Sequence, residues 1–191
     1  GDPHAYIIVA GDMMNNGIKS SVTNVYEEKM RPREQKARLV EELTPIRDRI
    51  ICGVPGNHEL RSVKETDDDP LYDVFCKLDL EDVYRGNGAF CLIRMGSKNG
   101  DGRTNPTYRI AALHGSGGGA LMGGYVNKAE RFGMAIDGLD LLVLGHSHKP
   151  ATWPSGKLVF DPQNNRITIK PFRVVVSTSW LDYAGYALRK M

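Results

Sequence analysis

Four short apolar runs constrain the fold of this chain more than any other feature, because all four end in the same kind of residue. Tyr6–Ala10 (YIIVA) is followed by Gly11-Asp12, and Arg49–Val54 (RIICGV) by Pro55-Gly56-Asn57-His58-Glu59. Thr107–Leu113 (TYRIAAL) runs into His114-Gly115, and Asp140–Leu144 (DLLVL) into Gly145-His146-Ser147-His148. Short, β-branched, nearly continuous apolar runs closed by glycine or proline read as strands buried on both faces. Between the first two lies Pro32–Arg47, with Pro near its start and Ala37, Leu39, Val40 and Leu43 at helical spacing. A strand, a helix and a strand in that order predict a parallel pair.

In an open α/β sheet the ligand site lies beyond the carboxyl ends of the strands. The four polar endings are therefore expected to converge, although they are far apart in sequence. Of the five histidines, only His4 falls elsewhere. Each residue alone has a plainer reading: Asp12 as a turn cap, Asn57 bonded to its own loop, a histidine as a satisfied polar group. Four such coincidences at four strand ends are a poor explanation.

The remaining chain reads as more of one layered domain over residues 1–191. Asp67-Asp68-Asp69-Pro70 resembles an acidic cluster, but Asp before Pro ahead of LYDVFCKL is a helix cap with Pro in the first turn. Ala89–Met95 and Thr107–Leu113 read as strands joined by the polar stretch SKNGDGRTNP, and Asn127–Ile136 as a helix. After Pro150 the pattern alternates, with turn chemistry at Asp161-Pro162 and Asn164-Asn165, which predicts late antiparallel strands.

With 41% hydrophobic residues the chain can bury a sizeable core, whereas 25 basic against 23 acidic residues, a net charge of +2, gives no argument for a polyanion or membrane partner. Cys52, Cys76 and Cys91 form no CxxC and no even framework, so neither thiolate zinc nor a set of structural disulfides is expected. That usage, together with no apolar stretch of membrane-spanning length and no signal-peptide pattern, predicts a cytoplasmic protein with no membrane partner.

Carboxylate, carboxamide and imidazole without thiolate suit Mn, Fe or Zn in a catalytic rather than a closed structural site. A carboxylate such as Asp12 can bridge two cations ~3.5 to 4 Å apart that clamp a phosphate and activate water. Asn57 offers a neutral oxygen, and His58, beside it, is placed to protonate a departing oxygen.

The series GD, GNHE, HG and GHSH, each after an apolar strand, resembles the calcineurin-like metallophosphoesterase superfamily, over Gly11 to about Trp180. The surrounding text is most similar to its bacterial and phage-encoded members. The resemblance implies a four-layer α/β/β/α sandwich with mixed sheets and two divalent metal ions, Mn first, with Fe or Zn as alternatives. It implies that Asp12 bridges both metals, that Asn57, His114 and His146 complete one position, and that His148 belongs to the other. His58 would act on the leaving group or stabilise the transition state. The implied reaction is hydrolysis of a phosphate ester by in-line attack of metal-bound hydroxide. A phosphodiester is preferred, and nucleic acid is a candidate substrate.

The family's D-x-H motif, from a first strand preceding GD, has no counterpart here. Asp2-Pro3-His4 has the right letters, but Asp2 and Asp12 would lie roughly 30 Å apart at opposite ends of one strand at the usual rise per residue. The segment is expected to be a polar turn, and the chain a fragment whose first strand, with two further ligands, lies upstream. The alternative function is accordingly a non-catalytic binding module or inactive fragment with the same fold. Arg61 and Asn16 are lesser candidates for contacts to substrate phosphate. The glycine-rich stretch after His114 lacks P-loop spacing and reads as a loop over the site.

Overall fold

A computed structural model describes residues 2–21, 26, 28–96, 105–116 and 122–178. The polar linker 97–104, the glycine-rich stretch 117–121 expected to form a loop over the site, and the C-terminal 179–191 lie outside the described residues.

Strand β1 (Ile7–Val9) pairs in parallel with β2 (Ile50–Gly53), as the strand–helix–strand pattern predicts. Helix α1 (Pro32–Leu43) connects them. It begins at Pro32, where a missing N–H leaves no bond unmade, and the Glu34 carboxylate accepts the Arg31 N–H at 2.8 Å. The helix was expected to reach Arg47. Instead it tightens into a 3-10 turn over Thr44–Arg49, because Pro45 has no N–H to continue the α ladder.

Helix α2 (Glu59–Thr66) follows the Asn57-His58 pair directly, and the sequence reading did not foresee it. Helix α3 (Pro70–Lys77) starts as predicted: Asp69 accepts from the N–H groups of Leu71 (3.2 Å) and Tyr72 (3.1 Å).

The second sheet has the order β3-β4-β5-β7-β6. Its strands are β3 (Ala89–Arg94), β4 (Thr107–Leu113), β5 (Leu141–Leu144), β6 (Ala151–Asp161) and β7 (Arg166–Val176). The central β4, β5 and β7 are parallel and both edge strands antiparallel, so the mixed sheet and its late hairpin match expectation. Helix α4 (Met122–Ala135) begins five residues before the predicted Asn127. Gly123 and Gly124 hid its first turn, since each costs about 1 kcal/mol in a helix, while Tyr125 and Ala129 offset this by packing on the sheet.

Three cores define four layers. Val9 and Ile50 pack with Leu39 and Leu43 of α1 and with Leu71, Val74 and Phe75 of α3. Cys52 and Val54 meet Ala89 and Ala112 between the two sheets. On the outer face of the second sheet, Leu142, Leu144, Phe172 and Val174 pack with Tyr125 and Ala129 of α4. The order is α/β/β/α, and successive residues of β4 show why: Ala111 faces α4 and Ala112 faces the first sheet, the period-two alternation of a strand buried on both sides.

Asp2-Pro3-His4 forms the expected turn. The His4 N–H bonds the Asp2 carboxylate at 2.8 Å, and the Asp2 carbonyl accepts from Arg49, just ahead of β2. Both residues therefore sit where β1 and β2 begin, opposite the strand ends that carry Asp12 and Asn57.

Candidate metal centre

The exits of β1, β2, β4 and β5 meet. The GD and GN turns are interlocked through their glycines, because a Cβ on Gly11 would overlap Gly56 N and a Cβ on Gly56 would overlap the backbone and carboxylate of Asp12. Gly11, at φ 81°, also needs the left-handed conformation that glycine adopts without cost. Gly56→Ala should therefore lose about 2–4 kcal/mol of stability and the Asp12 geometry together. A thermal melt combined with a divalent-cation titration checks this, and a wild-type melt with wild-type metal affinity would refute it.

Glu59, 0% exposed at the first residue of α2, holds the two turns in register. One carboxylate oxygen accepts the N–H groups of Asp12 (2.9 Å) and Gly56 (2.8 Å), and the other accepts that of Met14 (3.1 Å). Burial pushes its carboxyl pKa up, against the pull of those three donors. Sequence reasoning used Glu59 only as a letter of GNHE. Its signal would have been an acidic residue opening a helix, where three orphan N–H groups from two turns can gather.

The ligand atoms themselves are closely grouped. His114 Nε2 lies 3.0 Å from Asn57 Oδ1, 3.2 Å from His146 Nδ1 and 3.3 Å from Asp12 Oδ2, and His146 Nδ1 lies 2.8 Å from Asn57 Oδ1. Asp12, His114 and His146 form the one group of three His, Cys, Asp or Glu ligands among the described residues. His114 Nδ1 is committed as a donor to the Ala10 carbonyl at 2.7 Å, which leaves Nε2 of the neutral ring with its lone pair facing inward. Lone pairs of imidazole, carboxamide and carboxylate thus point at one another, an arrangement that a cation resolves. For metal–ligand bonds of ~2.1 Å, octahedral and tetrahedral edges are about 3.0 and 3.4 Å, so the observed spacing fits a metal polyhedron.

Electrostatics agree with the geometry. Burial would raise the Asp12 pKa, but the nearby His114 and the His58 N–H (2.9 Å) outweigh burial and lower it, so the carboxylate is charged. Burial opposes charge on His114 too, yet Asp12 and the Ala10 carbonyl overcome it and raise that pKa, so the cluster favours a positive charge between Nε2 and Asp12, which either a proton or a cation supplies. His146 is held down by burial and by His114. Asp12 (φ 55°), His146 (φ 66°) and His148 (φ 56°) all adopt left-handed backbone, which costs non-glycine residues about 1–3 kcal/mol each. Tyr125 of α4 donates to the Gly145 carbonyl and so braces the turn that carries His146; no feature of the sequence singled it out.

His58 stands beside this cluster, with Nε2 3.8 Å from Asp12 Oδ2. Its Nδ1 meets the Asn15 carbonyl at 3.1 Å, and burial lowers its pKa despite Asp12. Arg61, in the first turn of α2, reaches the same Asn15 carbonyl at 3.2 Å and Ser21 Oγ at 3.4 Å, and its charge acts on His58. His148 is close enough to His146 to disfavour its charge, but it stays outside the cluster of ligand atoms. Asn16, 1% exposed, is turned inward: its side-chain amide donates to the His58 carbonyl (2.8 Å) and Ser62 Oγ (2.9 Å), so here it fixes the His58 backbone.

No helix among the described residues is long and apolar enough to cross a membrane. No curated protein and no solved structure matches the chain significantly. A family model does: that of the calcineurin-like phosphoesterases matches residues 1–150, a span that contains Asp12, Asn57, His58, His114, His146 and His148.

Proposed function

The chain belongs to the calcineurin-like phosphoesterase family, metal-dependent hydrolases of phosphate esters, and from that premise we propose that it cleaves a phosphodiester, with nucleic acid as a candidate substrate. In this reading Asp12, Asn57, His114 and His146 hold one divalent cation, Asp12 and His148 contribute to a second, and Mn is the cation used. Residues 1–191 act as one domain, in the cytoplasm. The observation that carries the proposal is the convergence of four acceptor atoms, from four strand exits, at the edge lengths of a metal polyhedron.

When bound, the cations supply Lewis acidity, which polarises phosphoryl oxygens and makes water acidic enough to react near neutral pH. The chain's own residues do the rest. Asp12, kept anionic by His114 and His58, orients the imidazoles around it. The Ala10 carbonyl fixes the His114 tautomer, the kind of outer contact that tunes a metal ligand. His58, oriented by the Asn15 carbonyl, sits on the rim with Nε2 toward the site. A phosphate arriving there brings negative charge that counteracts the effect of burial and favours imidazolium, which can protonate the departing alkoxide. Arg61 keeps guanidinium donors beyond those bonded to Asn15 and Ser21 for a non-bridging phosphate oxygen.

The test is hydrolysis of generic phosphomonoester and phosphodiester substrates with and without Mn, by the wild type and by His58→Ala. We expect Mn-dependent turnover, faster on the diester, and a drop of roughly 10²–10⁴-fold in kcat for His58→Ala. Binding of cation without hydrolysis of any ester would favour the non-catalytic binding module. Metal itself gives a second expectation: Mn at about 100 times its Kd should stabilise the fold by about 2.7 kcal/mol, and a chelator should reverse the rise in Tm. An unchanged Tm at saturating Mn, Fe and Zn would remove the metal centre from the proposal.

A further inference from the structure

The metal centre leaves unused the two thiols in the core between the sheets. Cys52 on β2 is 3% exposed and sits in the cluster of Val54, Ala89 and Ala112, and Cys91 on β3 packs against that cluster from the opposite sheet. β2 and β3 are in contact across this core, and both cysteines belong to the cluster that fills it. Burial first, and then the neighbouring Cys91 thiol, push the Cys52 pKa up to about 12. A cleft of about 440 Å³, lined among others by Cys52, Cys91, Arg85 and Arg94, opens onto the pair. Cys76 lies in a different layer, on α3 against Tyr72, and is not a competing partner.

We propose that Cys52 and Cys91 are a modification site, a dithiol that a small peroxide entering through this cleft converts into a disulfide between the two sheets. Cys91, the more accessible sulfur, attacks the peroxide as thiolate; the O–O bond breaks, giving a sulfenic acid and, after protonation, water. Cys52 then gives its proton to solvent as its sulfur attacks that of Cys91; the S–S bond forms, the S–O bond breaks and hydroxide leaves as a second water. Two thiols are oxidised to one disulfide, and one peroxide is reduced to two waters. The burial of Cys52 makes the second step slow, on the order of minutes to hours.

The position gives the bond a consequence for the site. Cys52 lies five residues before Asn57, and Cys91 pairs with Ile110, four residues before His114. A Cys52–Cys91 disulfide therefore ties the strand that delivers Asn57 to the hairpin that delivers His114, and fixes the separation of the two halves of the centre. The proposal holds whether or not the chain is a hydrolase.

The experiment treats the full chain, carrying Cys76→Ser to suppress intermolecular linkage, with a small excess of hydrogen peroxide, then alkylates it after unfolding and maps it by non-reducing mass spectrometry. The expected product lacks two hydrogens, yields one linked Cys52–Cys91 peptide and returns to the dithiol with dithiothreitol. Closing a loop of about forty residues should also raise Tm by roughly 5–10 °C. In Cys91→Ala, whose half-buried position tolerates the change, neither the link nor the rise should form. Full alkylation of both thiols after peroxide, or oxidation of Cys91 to sulfinic acid with Cys52 still free, would overturn the proposal.

Discussion

Asp12→Asn should reduce metal affinity sharply and lower kcat on phosphate esters by about 10²–10³-fold, while leaving the melting temperature almost unchanged. Asparagine has the size of aspartate, tolerates the left-handed backbone that Asp12 adopts (φ 55°), and retains an oxygen for the His58 N–H. It loses the negative charge on which the centre depends. In the folded chain that charge is protected: His114 and His58 together outweigh burial and lower the Asp12 pKa. The neutral amide can neither bridge two cations nor offset their charge. Comparing the Mn titration and the melt of the two proteins separates a ligand from a structural residue. Unaltered Mn affinity in the variant would exclude Asp12 as a ligand.

Glu59→Leu should have the largest effect on stability, because it leaves the N–H groups of Asp12, Met14 and Gly56 buried without an acceptor. Each orphaned donor costs about 1–3 kcal/mol, so a loss of roughly 3–9 kcal/mol is expected, or a fall of about 10–30 °C in Tm for a domain of this length. Glu59→Gln should be intermediate. Its single carbonyl oxygen can still accept two of the three donors, while its amide nitrogen opposes the third. The expected order in a denaturant or thermal melt is wild type, Gln, Leu. Equal stability of Leu and wild type would mean that the two turns are held by something other than this carboxylate. Both variants should also bind Mn more weakly, since Glu59 fixes the backbone of Asp12 and lies two residues beyond Asn57.

The strands of the centre were legible because a strand buried on both faces must be almost continuously apolar, and because a parallel sheet gathers its strand exits at one end. Thus YIIVA, RIICGV, TYRIAAL and DLLVL were recognisable, with ends off by at most one residue, and so were the residues that follow them. The cap at Asp69 was legible for a local reason, the proximity of Asp and Pro at a helix start. Less was visible where the cause is not local. The start of α4 was concealed by two glycines whose helical cost is offset only by packing on the distant sheet. The roles of Glu59 and Asn16 were hidden because most of their side-chain partners, Asp12 and Met14 for the one and His58 and Ser62 for the other, lie more than forty residues away in sequence.

From the sequence alone, then, came the layered α/β architecture, the identity of the turns that carry the candidate ligands and the exclusion of Asp2 and His4 from their company. Those conclusions rest on periodicity, turn chemistry and the length of a strand, all of which are properties of short segments. Only the tertiary structure decided which candidates meet. It drew Asp12, Asn57, His114 and His146 together, left His148 outside that cluster, and turned Asn16 inward as a brace. It also set Cys52 against Cys91 from opposite sheets. These are distances between residues far apart in the chain, fixed by how two sheets pack face to face, and no local pattern in the sequence encodes them.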